Sequence, residues 1–151
     1  MLVAVFSLAA VVLSGTMMLS APAQAVTGVM VRSEMNGKCL DIKDWNNNDG
    51  ATVQLWGCHG GANQRWYGDA GMIRSDMNGK CLDIRDWNNS DGAVVQMWSC
   101  HGGSNQRWYV DAGMIRSEMN GKCLDVKDWN PNDGAVVQMW SCHGGANQRW
   151  Y

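Results

Sequence analysis

Five side chains of this sequence would make a coherent set if the chain brought them together: Asp41, Trp56, His59, Asn63 and Gln64. A carboxylate accepts hydrogen bonds from two neighbouring hydroxyls. An amide pairs with hydroxyls in either sense. An indole adds a flat apolar plate. A pyranose, with hydroxyls round its edge and C–H bonds on its face, matches that combination. The set returns as Asp83, Trp98, His101, Asn105 and Gln106, and again as Asp125, Trp140, His143, Asn147 and Gln148, at a constant step of 42 residues. Taken one at a time, each residue has a plainer reading, with Asp41 capping a loop and Trp56 in a core. Retention of all five in all three copies favours binding. The closeness of the copies tempers that argument, since recent duplication also carries passenger residues.

A period of this size must be read before any local propensity, because it sets the architecture. In the first copy, residues 30–34 alternate weakly as a short strand. Asn36-Gly37 signals a two-residue type I′ hairpin turn, which requires positive φ at both positions. Residues 38–43 form a second strand, with Leu40 and Ile42 on one face and Cys39 and Asp41 on the other. Residues 44–50 are a loop of turn-tolerant residues. Residues 52–56 form a third strand, placing Val53 and Leu55 on one face and Gln54 and Trp56 on the other. A Gly-rich loop over 57–63, a short fourth strand over 64–67 and a turn over 69–71 complete the copy.

Four strands in each of three copies predict an all-β domain of twelve strands. One copy cannot bury its apolar face alone. No atypical terminal copy is present to cap an open solenoid, so the copies, over about 29–70, 71–112 and 113–151, are expected to close around a pseudo-three-fold axis. The third copy stops at Trp150-Tyr151, so the pairing that closes the ring must draw on residues 27–34.

Composition narrows the classes. Net charge is −2 and no long single-sign run is present, which offers nothing to attract nucleic acid. Nine Trp stand against one Phe, three Trp in each copy; so much indole predicts that some of it faces outward to bind something flat. The cysteines come two per copy, 19 residues apart. Six cysteines allow fifteen pairings, and repetition favours Cys39–Cys58, Cys81–Cys100 and Cys123–Cys142. Each would close a loop of about 20 residues and contribute roughly 3 kcal/mol in the chain-entropy model. Zinc is disfavoured, because Cys58 and His59 are adjacent and no C-x-x-C occurs.

Residues 1–25 carry no charge, are almost wholly apolar from Leu2 to Leu13, and end in Ala23-Gln24-Ala25. This reads as a secretory signal peptide cut after Ala25. Cleavage there leaves 126 residues, three times the period. No Lys or Arg precedes the apolar run, which leaves the start of translation open upstream of Met1. A membrane anchor fits less well, because Gly15, Ser20 and Pro22 interrupt a span that needs about 20 apolar residues.

The Q-x-W motifs Gln64-Arg65-Trp66, Gln106-Arg107-Trp108 and Gln148-Arg149-Trp150 carry a resemblance. With the G-K-C-L-D opening and the Q-x-W-x-C-H segment, they make residues 26–151 resemble the ricin B-type lectin family, secreted β-trefoil carbohydrate-binding modules with a shallow sugar pocket in each lobe. The resemblance implies that Trp66, Trp108 and Trp150 are core. Simple alternation would instead set Trp66 beside Gln64, so the strand is expected to be irregular near Gln64. It implies sugar contacts from the five recurring residues and from a side chain three positions after the aspartate, here Asp44, Asp86 and Asp128. Some relatives carry an amide there, so a second carboxylate bears on which hydroxyls are accepted. Trp45, Trp87 and Trp129 are expected on the rim or pocket wall, against the alternative of a second sugar platform. Galactose, xylose and their polymers are the sugars that the resemblance brings forward, and no cofactor is implied.

The expected protein is a monomeric, secreted lectin that neither inserts into membranes nor binds nucleic acid. A single site of order millimolar corresponds to about −4 kcal/mol, and three sites add avidity only on glycans that reach more than one. Three other classes compete. Asp41 and Asp44 are paired carboxylates of the kind that cleave glycosides, but three active sites in one small domain argue against an enzyme. Residues 44–50 loosely match a calcium loop, with glycine one place late and Leu55 where the twelfth-position Glu should stand. A structural or protein-binding trefoil would leave the recurrence of sugar-type residues without a reason.

Overall fold

The computed structural model of the chain describes residues 27–151; the signal-peptide reading over residues 1–25 lies outside the described residues. Each copy folds as short extended segments because its apolar residues alternate and its Gly, Asn and Asp residues break the alternation at fixed places. The first lobe contains β1 (Val29–Met30), β2 (Cys39–Ile42), β3 (Ala51–Trp56) and β4 (Arg65–Asp69). The second contains β5 (Met72–Ser75), β6 (Cys81–Ile84), β7 (Val95–Trp98) and β8 (Trp108–Asp111). The third contains β9 (Met114–Ser117), β10 (Cys123–Val126) and β11 (Ala135–Trp140). Where a twelfth strand is expected, Arg149 and Trp150 make single bridges to Met114 and Ser33.

The pairings build two layers. Strand β1 pairs with β4 within the first lobe, and Met72↔Arg107 and Met114↔Arg149 are the counterparts within the second and third, while β4–β5 and β8–β9 join successive lobes. Ser33↔Trp150 closes this ring, and Arg32 and Tyr151 exchange backbone hydrogen bonds beside it. Closure thus uses the segment that the sequence set aside for it. The hairpins β2–β3, β6–β7 and β10–β11 form the second layer. They meet about the three-fold axis through Ala51↔Met97, Val94↔Gln138 and Ala135↔Leu55. The core fills the space between, with Leu40, Ile42, Val53, Leu55 and Trp66 and their equivalents buried. The Q-x-W indoles lie inside: Trp66, Trp108 and Trp150 donate their ring N–H to the carbonyls of Leu40, Leu82 and Leu124 at 3.1–3.2 Å.

Three local features differ from simple alternation. Both faces of β2 are buried, because a loop covers Cys39 and Asp41 while the core covers Leu40 and Ile42. The disulfides pair as repetition favours, Cys39–Cys58, Cys81–Cys100 and Cys123–Cys142, and tie that loop to the strand. Gln64 lies in a single 3-10 turn, Ala62–Gln64, just before β4, so it does not share a face with Trp66. The turn at Asn36-Gly37 is a correction. Gly37 has φ 73°, but Asn36 is not left-handed, so the turn is not type I′. Four residues span Ser33 to Lys38, with Gly37 N–H donating to Ser33 O at 2.7 Å. Ser33 Oγ and Asn36 Oδ1 accept from the N–H groups of Met35 and Lys38, which stabilises the longer turn and leaves positive φ to glycine alone.

Candidate functional site

The outward face of each hairpin forms the floor of a cleft. On β2–β3, Asp41 stands directly across from Gln54, and Cys39 across from Trp56. The cross-strand register therefore puts a carboxylate, an amide and an indole side by side. Asp41 is almost fully buried and takes three amide donors: Gln54 Nε2 on Oδ1 and Asn63 Nδ2 and Gln64 Nε2 on Oδ2, each at 3.0 Å. Asp83 and Asp125 take the same three donors at 2.9–3.1 Å. A carboxylate has room for about four such bonds, so the arrangement fixes the group and leaves acceptor capacity on Oδ1. Burial pushes the carboxyls of Asp41 and Asp83 above the ordinary value of 3.8, and the amide hydrogen bonds partly offset it.

The other side chains converge on that carboxylate. Asn63 donates to Asp41 and to Ile42 O, while its own Oδ1 is buried without a donor among the described residues, as in Asn105 and Asn147. A buried amide oxygen left unpaired is expensive, and here it belongs to a residue that lines the cleft. His59 Nδ1 accepts from Gly61 N–H at 3.0 Å. The neutral ring then carries its proton on Nε2, which lies 3.8 Å from Asp41 Oδ2.

Trp45 stacks on His59 with ring centroids 6.1 Å apart and an interplanar angle of 21°. It reaches that position through two consecutive left-handed residues, Asp44 at φ 56° and Trp45 at φ 53°, repeated in every lobe. Such non-glycine conformations cost about 1–3 kcal/mol each and cluster where geometry serves a site. A Cβ at Gly61 would lie 2.7 Å from both His59 and Trp45, so any side chain there has to displace one of these rings.

Three clefts result, of 240 Å³ in the first lobe, 280 Å³ in the second and 240 Å³ in the third. All fall below the range of about 300–1,000 Å³ of drug-sized pockets, a size for one small ring. Asp41, Asp44, Trp56, His59 and Asn63 line the first, as do their counterparts Asp83, Asp86, Trp98, His101 and Asn105 in the second and Asp125, Asp128, Trp140, His143 and Asn147 in the third. Trp45, Trp87 and Trp129 form the wall, each about half exposed.

Gln64, Gln106 and Gln148 reach the same carboxylate from behind. Gln64 is wholly buried, with Nε2 shared between Asp41 and Gly57 O and Oε1 accepting from His59 and Gly60 N–H. It aligns the carboxylate and the loop and lies off the cleft surface. Sequence reasoning missed Gln54, Gln96 and Gln138, although alternation already set Gln54 on the face of Trp56. It also missed Lys43, Arg85 and Lys127, which line the clefts; the recurring cation was their only signal. Among the described residues, no three His, Cys, Asp or Glu gather as a metal cluster would.

Residues 27–150 match the family model described as ricin-type beta-trefoil lectin domain. The chain belongs to the ricin-type beta-trefoil lectin family. It is a family of carbohydrate-binding domains, generally without catalytic activity. A designed three-fold symmetric protein, ThreeFoil, superposes with TM-score 0.76 at 36% identity, over 80% of this chain and 94% of its own. The C-half of an earthworm R-type lectin, solved in complex with GalNAc, superposes with TM-score 0.69 at 29% identity, over 81% of this chain and 94% of its own. Serine protease 1 of Rarobacter faecitabidus is 57% identical over 30 residues, 20% of this lectin chain. The chain matches only 6% of the length of the curated relatives found.

Proposed function

We propose that the protein is a secreted, monomeric lectin with three sugar sites, one per lobe, for galactose- or xylose-type sugars and their polymers. The observation that carries this reading is the buried carboxylate Asp41, held by three amide donors beside a half-exposed indole and repeated at Asp83 and Asp125. Such a carboxylate accepts from a sugar hydroxyl without having to be reoriented, which spares ordering entropy on binding. Trp56 offers its face to the C–H side of the ring. Asn63 lines the cleft beside it, and His59 Nε2–H donates to a second hydroxyl. Asp44, exposed on the rim, discriminates among hydroxyls there. The GalNAc complex of the earthworm lectin supports a galacto-type sugar.

Three disulfides support an oxidising, extracellular setting. Sites on separate lobes make the protein a cross-linker of branched or repeating glycans, with no catalytic step and no nucleic-acid partner. A glycan-array screen of the oxidised protein tests the reading, with Asp41→Ala/Asp83→Ala/Asp125→Ala as control. Binding to galactosides or xylosides that vanishes in the triple variant is the expected result. Absence of binding by the folded, disulfide-bonded protein would overturn it.

A further inference from the structure

The loop before each third strand reaches into the next lobe. Asp49 Oδ1 accepts from Ser99 N–H at 2.8 Å and from Lys80 Nζ at 2.7 Å, and both its oxygens take the Ser99 hydroxyl at 2.9–3.0 Å. Asp91 holds Ser141 and Lys122 in the same way. Asp133 completes the circle on Gly57 N–H and Lys38. The residue held in each case is the one on which the buried glutamine rests. Gln106 Nε2 donates to Ser99 O at 3.1 Å and to Asp83 Oδ2 at 2.9 Å. The adjacent loop glycine backs the cleft wall: a Cβ on Gly50 would lie 4.0 Å from Trp98 and 3.9 Å from Gln96.

We propose that Asp49, Asp91 and Asp133 are positioning residues for the cleft of the following lobe, so that no lobe completes its own site. As a statement about sugar affinity, this rests on the lectin reading above. It also makes the clefts unequal. The first lobe has Gly57 where the others have Ser99 and Ser141, so Asp133 receives no hydroxyl, and that cleft is the least firmly backed. A Cβ on Gly57 would sit 3.7–3.8 Å from the Asp133 oxygens, an ordinary contact. Gly57→Ser therefore supplies the missing hydroxyl.

The test uses the full chain and two readouts. Without sugar, NMR follows the side-chain amides of Gln64, Gln106 and Gln148 and the indoles of Trp56, Trp98 and Trp140. Asp49→Ala is expected to move Gln106 and Trp98 alone, and Asp133→Ala to move Gln64 and Trp56 alone. No change, or equal change in all lobes, overturns the proposal whatever the protein binds. Methyl β-galactoside then reads affinity in chains with the other two clefts silenced by Asp→Ala. Asp133→Ala is expected to weaken the first cleft roughly threefold to tenfold, the worth of about one hydrogen bond. Gly57→Ser is expected to tighten it, and unchanged affinity in both variants overturns the claim about binding. A parent protein that ignores the galactoside but shows the lobe-selective NMR pattern removes the galactose reading and leaves the positioning role standing.

Discussion

The two faces of the β2–β3 hairpin set a core against a cleft with the same kind of residue. Inward, Leu40, Ile42, Val53 and Leu55 pack around Trp66, whose ring N–H is satisfied by Leu40 O. Outward, Trp56 stands 41% exposed beside Asp41, and Trp45 is 51% exposed. The inward indole gains from apolar burial with its one polar atom paired. The outward indoles leave apolar area in water, a feature with meaning when it recurs in clusters at concave sites. The comparison separates residues that make the fold from residues that make the site, and it can be broken by mutation.

The largest effect is expected inside. Trp66→Ala should destabilise the protein by about 3–5 kcal/mol, as large-to-small core changes do, whereas Trp56→Ala should leave stability within about 1 kcal/mol and abolish binding by the first cleft. Denaturant unfolding and sugar titration of both variants check this; equal stability losses would collapse the distinction. Removing the disulfide with Cys39→Ala/Cys58→Ala should cost roughly 3 kcal/mol and loosen the cleft loop first. Hydrogen exchange of residues 57–64 would show it, and uniform loss of protection across the lobe would contradict it.

A smaller and cleaner break lies at Gly61. Its φ of −64° is open to any residue, so an added methyl acts by contact alone. That methyl would press on His59, Trp45 and Asn63 Oδ1, all of them side chains of the cleft. Gly61→Ala is expected to lower affinity of the first cleft about tenfold with little change in melting temperature. A large fall in melting temperature would mean that the loop supports the core as well.

Much of this division was legible in the sequence. The period of 42 and the alternation Leu40, Ile42, Val53, Leu55 were sufficient for the three-fold all-β fold and its core, because burial follows periodicity. Equal spacing of the cysteines favoured the pairing that forms. What alternation cannot convey is depth. It assigns Asp41 to a face, but not to a buried spot with three amides around it. It placed Gln54 beside Trp56 without marking it as Asp41's partner. It could not separate Asn63, on the cleft wall, from Gln64 behind it, because both lie in one irregular turn. The left-handed pair Asp44-Trp45 was hidden too, since Asp tolerates that conformation without requiring it and Trp gives no sign of it. The Asp49, Asp91 and Asp133 contacts run between lobes, where local pattern has no reach.

Acid should separate cleft from fold with the smallest perturbation of all. Asp41 and Asp83 have carboxyl pKa values raised by burial. Asp49, Asp91 and Asp133 have theirs lowered, chiefly by hydrogen bonds from Lys80, Lys122 and Lys38. As pH falls toward the unfolded value of 3.8, the folded protein takes protons at Asp41 and Asp83 before the unfolded chain does. Folding then gains from these two groups, while the first and second clefts lose their charged acceptor. Below that value the unfolded chain binds protons that Asp49, Asp91 and Asp133 resist, so the stability these three supply is lost as pH falls through their lowered pKa values. Sugar binding should therefore decline at a higher pH than stability does. Parallel measurement of affinity and unfolding free energy from neutral pH to about pH 3 checks the order. Coincident loss of both would show that cleft and fold titrate as one unit.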